Sequence, residues 1–243
     1  MPDQTPATAP AEAASKGLLT RIVGVFFSPR ATFADVAARP KAFGALAIGL
    51  IIVVGSLFLL FSTEVGQQAF IDQQLQGSES FGRTMSDQQL QGIERIAPYM
   101  GYIIACSYLI FIPIVLLIFT GILLGIFNAL LGGDATFKQV FAVVSHAGLI
   151  TVLQTIFAMP LDYVRKTLSS PTTLGAFVPF LDENSFLARL LGTIDLFQIW
   201  WLVTLSIGLA VLYKRRTGPV ATSLLTVYAV IILAIAAVRS ALS

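Results

Sequence analysis

This chain is constrained most by long apolar segments that almost no charged residue interrupts. About 20 apolar residues in one helix cross the roughly 30 Å hydrocarbon core of a bilayer. Four segments reach this length, at residues 43–61, 137–159, 190–213 and 219–238. Only 12% of the residues are charged and 56% are hydrophobic, whereas a soluble domain needs more charge at its surface. The sequence therefore predicts an all-α protein, a polytopic transmembrane helical bundle.

A fifth apolar segment, residues 99–131, allows two interpretations. One helix would be about 50 Å long, whereas the arms of a hairpin would barely cross the bilayer. With one long, tilted helix and a cytoplasmic N-terminus, nine of the 15 basic residues lie inside, including the run at 214–216. Because Lys and Arg favour the cytoplasmic side, we predict five spans in a bacterial inner membrane, with the C-terminus outside. Pro113 is a candidate kink in the long span.

The residues before the first span divide into two parts. Residues 1–16 are rich in Ala, Pro and Thr, which predicts a disordered tail without a secretory signal. Residues 17–41 carry apolar side chains at helical spacing, and Ser28 followed by Pro29 is typical of a helix start. Interspersed basic residues predict two interfacial amphipathic helices, whose candidate contacts with an anionic membrane surface are Arg21, Arg30, Arg39 and Lys41. The alternative role is to cap the bundle, and both roles are compatible.

The segment between the first two spans, residues 62–98, is rich in Gln and acidic residues. Ser86 and Gln89 have the spacing of a capping box, in which each side chain bonds the other residue's backbone at a helix start. We therefore predict a hydrated, partly helical excursion outside the bilayer. The membrane domain as a whole covers residues 42–243.

Strongly polar residues within the predicted spans are candidates for function, because such groups are costly in hydrocarbon. There are five of them, namely Asn128, His146, Gln154, Asp195 and Gln198. Small and amide-bearing residues commonly join helices in lipid, so we favour a packing role over a transport role. Gly121 and Gly125 form a small-xxx-small pattern, which predicts close helix approach within the chain or between chains.

The sequence contains no pattern typical of an enzyme. One histidine, His146, and one cysteine, Cys106, do not supply the three or four ligands of a metal site. We find no P-loop, no GxGxxG motif and no GxSxG motif around a serine. We therefore predict no catalytic residue, no metal and no cofactor. The net charge of +2 also gives no reason to expect nucleic acid as a partner.

Three short stretches give a family resemblance. They are SPRATF at 28–33, GGDATFKQ at 132–139 and IDLFQIW at 194–200. In this order and spacing the chain resembles, from about Gly17 to its C-terminus, the bacterial branch of the Yip (Ypt-interacting protein) domain family. The resemblance implies five spans and a cytoplasmic N-terminus. Eukaryotic members bind small Rab-type GTPases, but the short N-terminal tail here has no motif for a GTPase partner, so that partner is not carried over.

Two functions follow as alternatives. The first is a non-catalytic membrane scaffold or adaptor that acts on membrane lipids, on other membrane proteins or by self-association. The second is a transporter or channel subunit for a small solute or ion. A conducting role needs a continuous polar path or paired broken helices at mid-membrane. Because the spans hold one histidine and one carboxylate, the sequence favours the adaptor.

Overall fold

The computed structural model describes residues 17–80, 83–182 and 185–241. Within these ranges the protein is helical and contains no strand, which confirms the predicted all-α class. The α-helices are α1 (Leu18–Phe27), α2 (Pro29–Ala38), α3 (Phe43–Phe61), α4 (Glu64–Ser80), α5 (Asp87–Ile96), α6 (Met100–Leu124), α7 (Phe137–Ala147), α8 (Leu149–Arg165), α9 (Phe186–Thr193), α10 (Leu196–Leu212) and α11 (Thr217–Ala241). The disordered tail predicted at 1–16 lies outside the described residues.

In the described part of the chain, four continuous helical segments are long and apolar enough to cross a membrane. They are Phe43–Phe61, Asp87–Leu130, Phe137–Arg165 and Thr217–Val238. The second contains 44 residues, so residues 99–130 lie in one continuous helical segment, as predicted, and not in a hairpin. Pro113 lies inside α6 without ending it. The segment closes in a π-helical turn, Gly125–Leu130, which the sequence did not predict.

The fourth predicted span, residues 190–213, is not one continuous helix. Helix α9 ends at Thr193, and Ile194 and Asp195 have extended backbone conformations before α10 begins. The prediction of an unbroken helix here was therefore wrong. With 17 residues, α10 is about 25 Å long, which is the lower limit for a membrane-spanning helix. The count of five spans stays a prediction that depends on α10.

Helix α10 occupies the centre of the bundle and packs against α2, α7, α8 and α11. Its buried residues include Leu202, Leu205 and Leu209, while α2 contributes the fully buried Phe33. The main apolar core thus lies where α2, α6, α7 and α10 meet. A second cluster, centred on Val25 of α1, joins that helix to α3 and α8.

Gly208 permits the close approach of α10 to its neighbours. A Cβ atom on Gly208 would lie 2.6 Å from Val143 Cγ1 on α7 and 3.0 Å from the Phe33 ring on α2. We expect Gly208→Ala to lower the free energy of unfolding by about 1–3 kcal/mol, since added volume in a packed core causes strain. Equilibrium unfolding in mixed detergent micelles measures this change.

The control is Gly55→Ala in α3, where nothing lies within 4 Å of an added Cβ atom. Alanine is favoured over glycine inside helices by about 0.8–1 kcal/mol, so this variant should be as stable as the parent protein or more stable. If Gly208→Ala and Gly55→Ala lowered the free energy of unfolding equally, the close contact at Gly208 would be contradicted.

The excursion between the first two spans contains α4 and α5. Ser86 is the N-cap of α5, its hydroxyl accepts the Gln89 backbone N–H, and the Gln89 side chain accepts the Ser86 backbone N–H. The predicted capping box is therefore confirmed. Asp87 in the first turn and Arg95 in the last turn also complement the helix dipole.

Candidate functional site

The carboxylate of Asp195 is the centre of a polar cluster at the start of α10. Its Oδ2 atom lies 2.5 Å from Thr172 Oγ1, 2.8 Å from Gln154 Nε2 and 3.1 Å from Ser170 Oγ. The three side chains donate hydrogen bonds to Oδ2. The cluster brings together two residues, Gln154 and Asp195, that the sequence had singled out separately.

The other carboxylate oxygen of Asp195 caps α10. Oδ1 accepts the backbone N–H groups of Phe197 at 2.8 Å and of Gln198 at 3.2 Å. These donors have no partner within the helix, and an N-cap carboxylate both satisfies them and interacts favourably with the helix dipole. The predicted site residue Gln198 is half-buried and contributes its backbone to the cluster. The break in the fourth apolar segment therefore lies at the N-cap of α10.

The loop between α8 and α9 carries two members of the cluster. The backbone of Thr173 forms an isolated antiparallel bridge with Asp195, and Leu196 N–H donates to Thr172 O at 3.1 Å. Gln154 lies 11 residues before the end of α8 at Arg165, about 16 Å along the helix. The loop thus folds back along α8, and Thr172 is buried in the bundle.

Helix α11 closes the cluster from the remaining side. The hydroxyl of Tyr228 accepts the Asp195 backbone N–H at 3.2 Å. One aspartate thus connects α8, the following loop, α10 and α11 through hydrogen bonds. Because its two oxygens accept five donors, the carboxylate is stabilised where it stands and joins helices, as amide and hydroxyl groups do in lipid.

His146 lies apart from this cluster and is fully buried on α7. Its Nδ1 atom lies 2.8 Å from Ala142 O, one turn earlier on the same helix. A carbonyl oxygen only accepts, so Nδ1 carries the hydrogen. Nε2 has no hydrogen-bond partner among the described residues. No group of three or more His, Cys, Asp or Glu residues in the described part of the chain is arranged to hold a metal ion.

Asn128 belongs to the π-helical turn that ends the second span. Its Nδ2 donates to Ala135 O at 2.8 Å, and Gly133 N–H donates to Phe127 O at 2.9 Å. Gly132 has a φ of +67°, which favours glycine. Asn128 therefore fixes the tight connection to α7.

The glycines of the small-xxx-small pattern do not join helices within the chain. Gly121 and Gly125 are both exposed, and nothing lies within 4 Å of an added Cβ atom at either position. Close packing against another described helix, one of the two predicted possibilities, is therefore wrong. Contact between chains stays a prediction.

The four predicted membrane-surface cations are not equivalent. Arg30 and Lys41 are exposed, as a surface role requires. Arg21 is only 3% exposed, so the prediction that it lies on the membrane surface was wrong. Its Nε donates to Asp35 Oδ2 at 2.7 Å and its guanidinium to Arg39 O at 3.1 Å. Arg39 is half-buried and contributes this carbonyl.

Sequence reasoning missed the partners of Asp195 and Arg21. Ser170, Thr172 and Tyr228 around Asp195, and Asp35 beside Arg21, have no periodic or motif signal that marks them. The one available signal is chemical, since a carboxylate inside an apolar segment requires donors. That requirement predicts that donors exist, but it does not identify which residues supply them.

The fold and its internally bonded polar residues define a multi-pass helical membrane protein. The Yip1 domain matches residues 23–238, so the chain belongs to the Yip1 domain family, and the resemblance seen in the sequence is confirmed. A relative from Bacillus subtilis (strain 168), membrane protein YknW, is 27% identical over 227 residues, which cover 91% of this chain and 89% of the relative. No solved structure matches the chain.

Proposed function

We propose that this protein is a non-catalytic membrane adaptor that presents a surface helix, α1, on the cytoplasmic leaflet of a bacterial inner membrane. The observation that carries the proposal is the outward apolar face of α1. Leu19 is 75% exposed, Val23 55% and Phe27 82%. These residues recur every four positions and so share one face of the helix. A helix with such a face, with cations beside it, is typical of the membrane interface.

The opposite face of α1 and the buried face of α2 attach this surface to the bundle. Val25 of α1 and Phe33 and Val36 of α2 are almost fully buried. The ion pair between Arg21 and Asp35 joins the two helices. The apolar face of α1 is therefore held in a fixed orientation relative to the spans, which suits an adaptor that positions partners or lipids.

The cations around α1 support an anionic surface as its target. Arg30 is exposed in the first turn of α2, and Lys41 is exposed two residues before α3 begins. Each Lys or Arg near an anionic leaflet contributes about 1 kcal/mol of attraction. A cytoplasmic N-terminus, proposed from the distribution of Lys and Arg, places these residues at the leaflet that carries anionic lipids.

The polar residues of the spans give less support to the transport alternative. Asp195 and Gln154 bond to each other and to the loop after α8, and Asn128 bonds to the turn before α7. Groups that are committed to internal bonds do not provide the series of free ligands along which a solute or ion moves. An adaptor requires only the stable frame that these bonds provide.

Spin labels on α1 test the membrane contact in the full-length protein. Cys106→Ser removes the one cysteine, and single cysteines at Val23 and Phe27 then carry nitroxides in vesicles that contain anionic lipid. We expect high accessibility to oxygen and low accessibility to a water-soluble nickel reagent at both positions, because apolar side chains on this face enter the acyl boundary. A label at the exposed Thr84 in the excursion between the first two spans is the hydrated reference.

If the labels on α1 were as accessible to oxygen and to the nickel reagent as the label at Thr84, α1 would not contact the membrane. The adaptor role itself is tested by photocrosslinking from Val23 in native membranes, where lipid or a recurring membrane protein should be recovered, and from the exposed Ile51 on α3 as the control. Flux of a solute in reconstituted vesicles that Asp195→Asn abolishes, with the fold retained, would instead establish the transport alternative.

A further inference from the structure

A cavity of about 230 Å³ lies between α3, α6 and the α7–α8 segment. Small residues leave this space open, because Ala45 and Gly49 of α3 and Gly148, at the junction of α7 and α8, line it. The α3 wall runs from Ala45 to Val53, about 12 Å along the helix. The cavity is only partly enclosed.

The lining of this cavity is mostly apolar, and the polar side chains in it already donate their hydrogen bonds to other groups of the protein. Ser145, Thr151 and Thr155 each donate to a carbonyl of their own helical segment, at 2.8, 2.7 and 3.0 Å. Gln154 Nε2 donates to Asp195 and Thr172. The polar part of the wall therefore offers lone pairs and no free side-chain donor to a ligand.

The position of the cavity limits what can reach it. Three of the four segments long enough to cross the bilayer, those containing α3, α6 and α8, form its walls. A gap between these helices borders lipid, and that surrounding medium is hydrocarbon that holds almost no water. An apolar cavity of about 150 Å³ holds a benzene molecule, so this larger one has room for a segment of an acyl chain.

We propose that this cavity is a binding site for one acyl chain of a membrane phospholipid. An anionic solute would need hydrogen-bond donors, which the side chains of the wall do not offer. A cation would need a carboxylate, and Asp195, the carboxylate that is bonded to the wall residue Gln154, already accepts hydrogen bonds from five donors. An acyl chain needs neither and gains dispersion contacts that an empty space would forfeit.

The site is also connected to the polar cluster at the start of α10. Gln154 lines the cavity and donates to Asp195. The acyl chain therefore packs against the residue that links α8 to the loop and to α10. This inference concerns the interior of the bundle and is independent of the membrane contact of α1.

The test uses the full-length protein in nanodiscs that contain a phosphatidylglycerol with a diazirine in one acyl chain. After illumination, mass spectrometry locates the lipid adducts. Val152 and Leu149 are only 7% and 3% exposed and line the cavity. We expect adducts on these two buried residues, whereas the exposed Ile51 is labelled from bulk lipid in any case.

Filling the cavity should abolish the buried adducts alone. Gly49→Leu places a side chain in the space, and Thr155→Leu does so from α8 if the first variant does not fold. Gly55→Leu is the matched control on α3, because nothing lies within 4 Å of an added Cβ atom there. Loss of adducts at Val152 in a filled variant, with labelling of Ile51 retained, supports the site. Absence of adducts at Val152 and Leu149 in the parent protein, or their persistence in the filled variants, overturns it.

Discussion

Replacing Asp195 with leucine is expected to lower the free energy of unfolding by about 3–5 kcal/mol. The change removes the N-cap of α10, which is typically worth about 1 kcal/mol, and leaves partly buried donors without an acceptor, at a cost that reaches about 1–3 kcal/mol for a buried one. The donors affected include the side chains of Thr172 and Gln154 and the backbone of Phe197. Equilibrium unfolding in mixed micelles measures the loss.

Asparagine at the same position should give an intermediate loss of about 1–2 kcal/mol, the range for one poorly satisfied polar pair. Its amide oxygen can still cap α10. Its amide nitrogen would replace Oδ2 and face Gln154 Nε2, which is itself a donor, while the Thr172 hydroxyl can rotate to accept. Asparagine has nearly the shape of aspartate, so the sequence alone predicts that this substitution is conservative. The position of Gln154 explains why a loss of stability is nevertheless expected.

Two comparisons make this prediction specific. Asp134 is an exposed carboxylate in the turn before α7, and Asp134→Leu should change the stability by no more than about 0.5 kcal/mol. Gln154→Leu should destabilise the protein, and in combination with Asp195→Leu should cost less than the sum of the two single changes, because the residues share one network. Equal losses at Asp134 and Asp195 would show that the carboxylate of Asp195 does not hold the bundle together.

The sequence predicts the membrane-spanning helices well because their apolar lengths reflect the thickness of the bilayer. Residues 43–61 coincide with α3, and residues 99–130 lie within one continuous helical segment. The break before α10 was missed because apolar composition continues through Ile194 and Leu196, and helix and extended chain do not differ in hydropathy over two residues. The conformation there depends on Thr172 and Tyr228, which bond to Asp195 from distant parts of the chain.

The burial of Arg21 was missed for a related reason. Arg21 and Arg30 have the same charge and lie in the same predicted surface helices, so composition treats them alike. Their difference is tertiary, since Arg21 faces Asp35, which is 14 residues further along the chain. Periodicity describes the faces of one helix, whereas the choice of partner depends on how α1 folds back on α2.

Removing the partner of Asp35 should detach α1 from α2. Arg21→Met is expected to lower stability by about 3–5 kcal/mol, because breaking a buried ion pair leaves one charge uncompensated. The side chains of Arg21 and Asp35 are only 4% and 16% exposed, so water does not replace the lost partner effectively. Unfolding in mixed micelles measures the global effect, and hydrogen exchange of α1 shows whether the helix opens locally.

The double variant Arg21→Met, Asp35→Leu separates the ion pair from the packing of its side chains. Apolar residues of similar volume often replace a buried pair at little cost, so the double variant should recover most of the stability lost in Arg21→Met. A residual loss of about 1 kcal/mol is expected, because Arg39 O also loses its donor. Arg30→Met, at an exposed position, is the control and should stay within about 0.5 kcal/mol of the parent protein. If Arg21→Met cost no more than Arg30→Met, and α1 exchanged its hydrogens at the same rate in both, the ion pair would not be what holds α1 to α2.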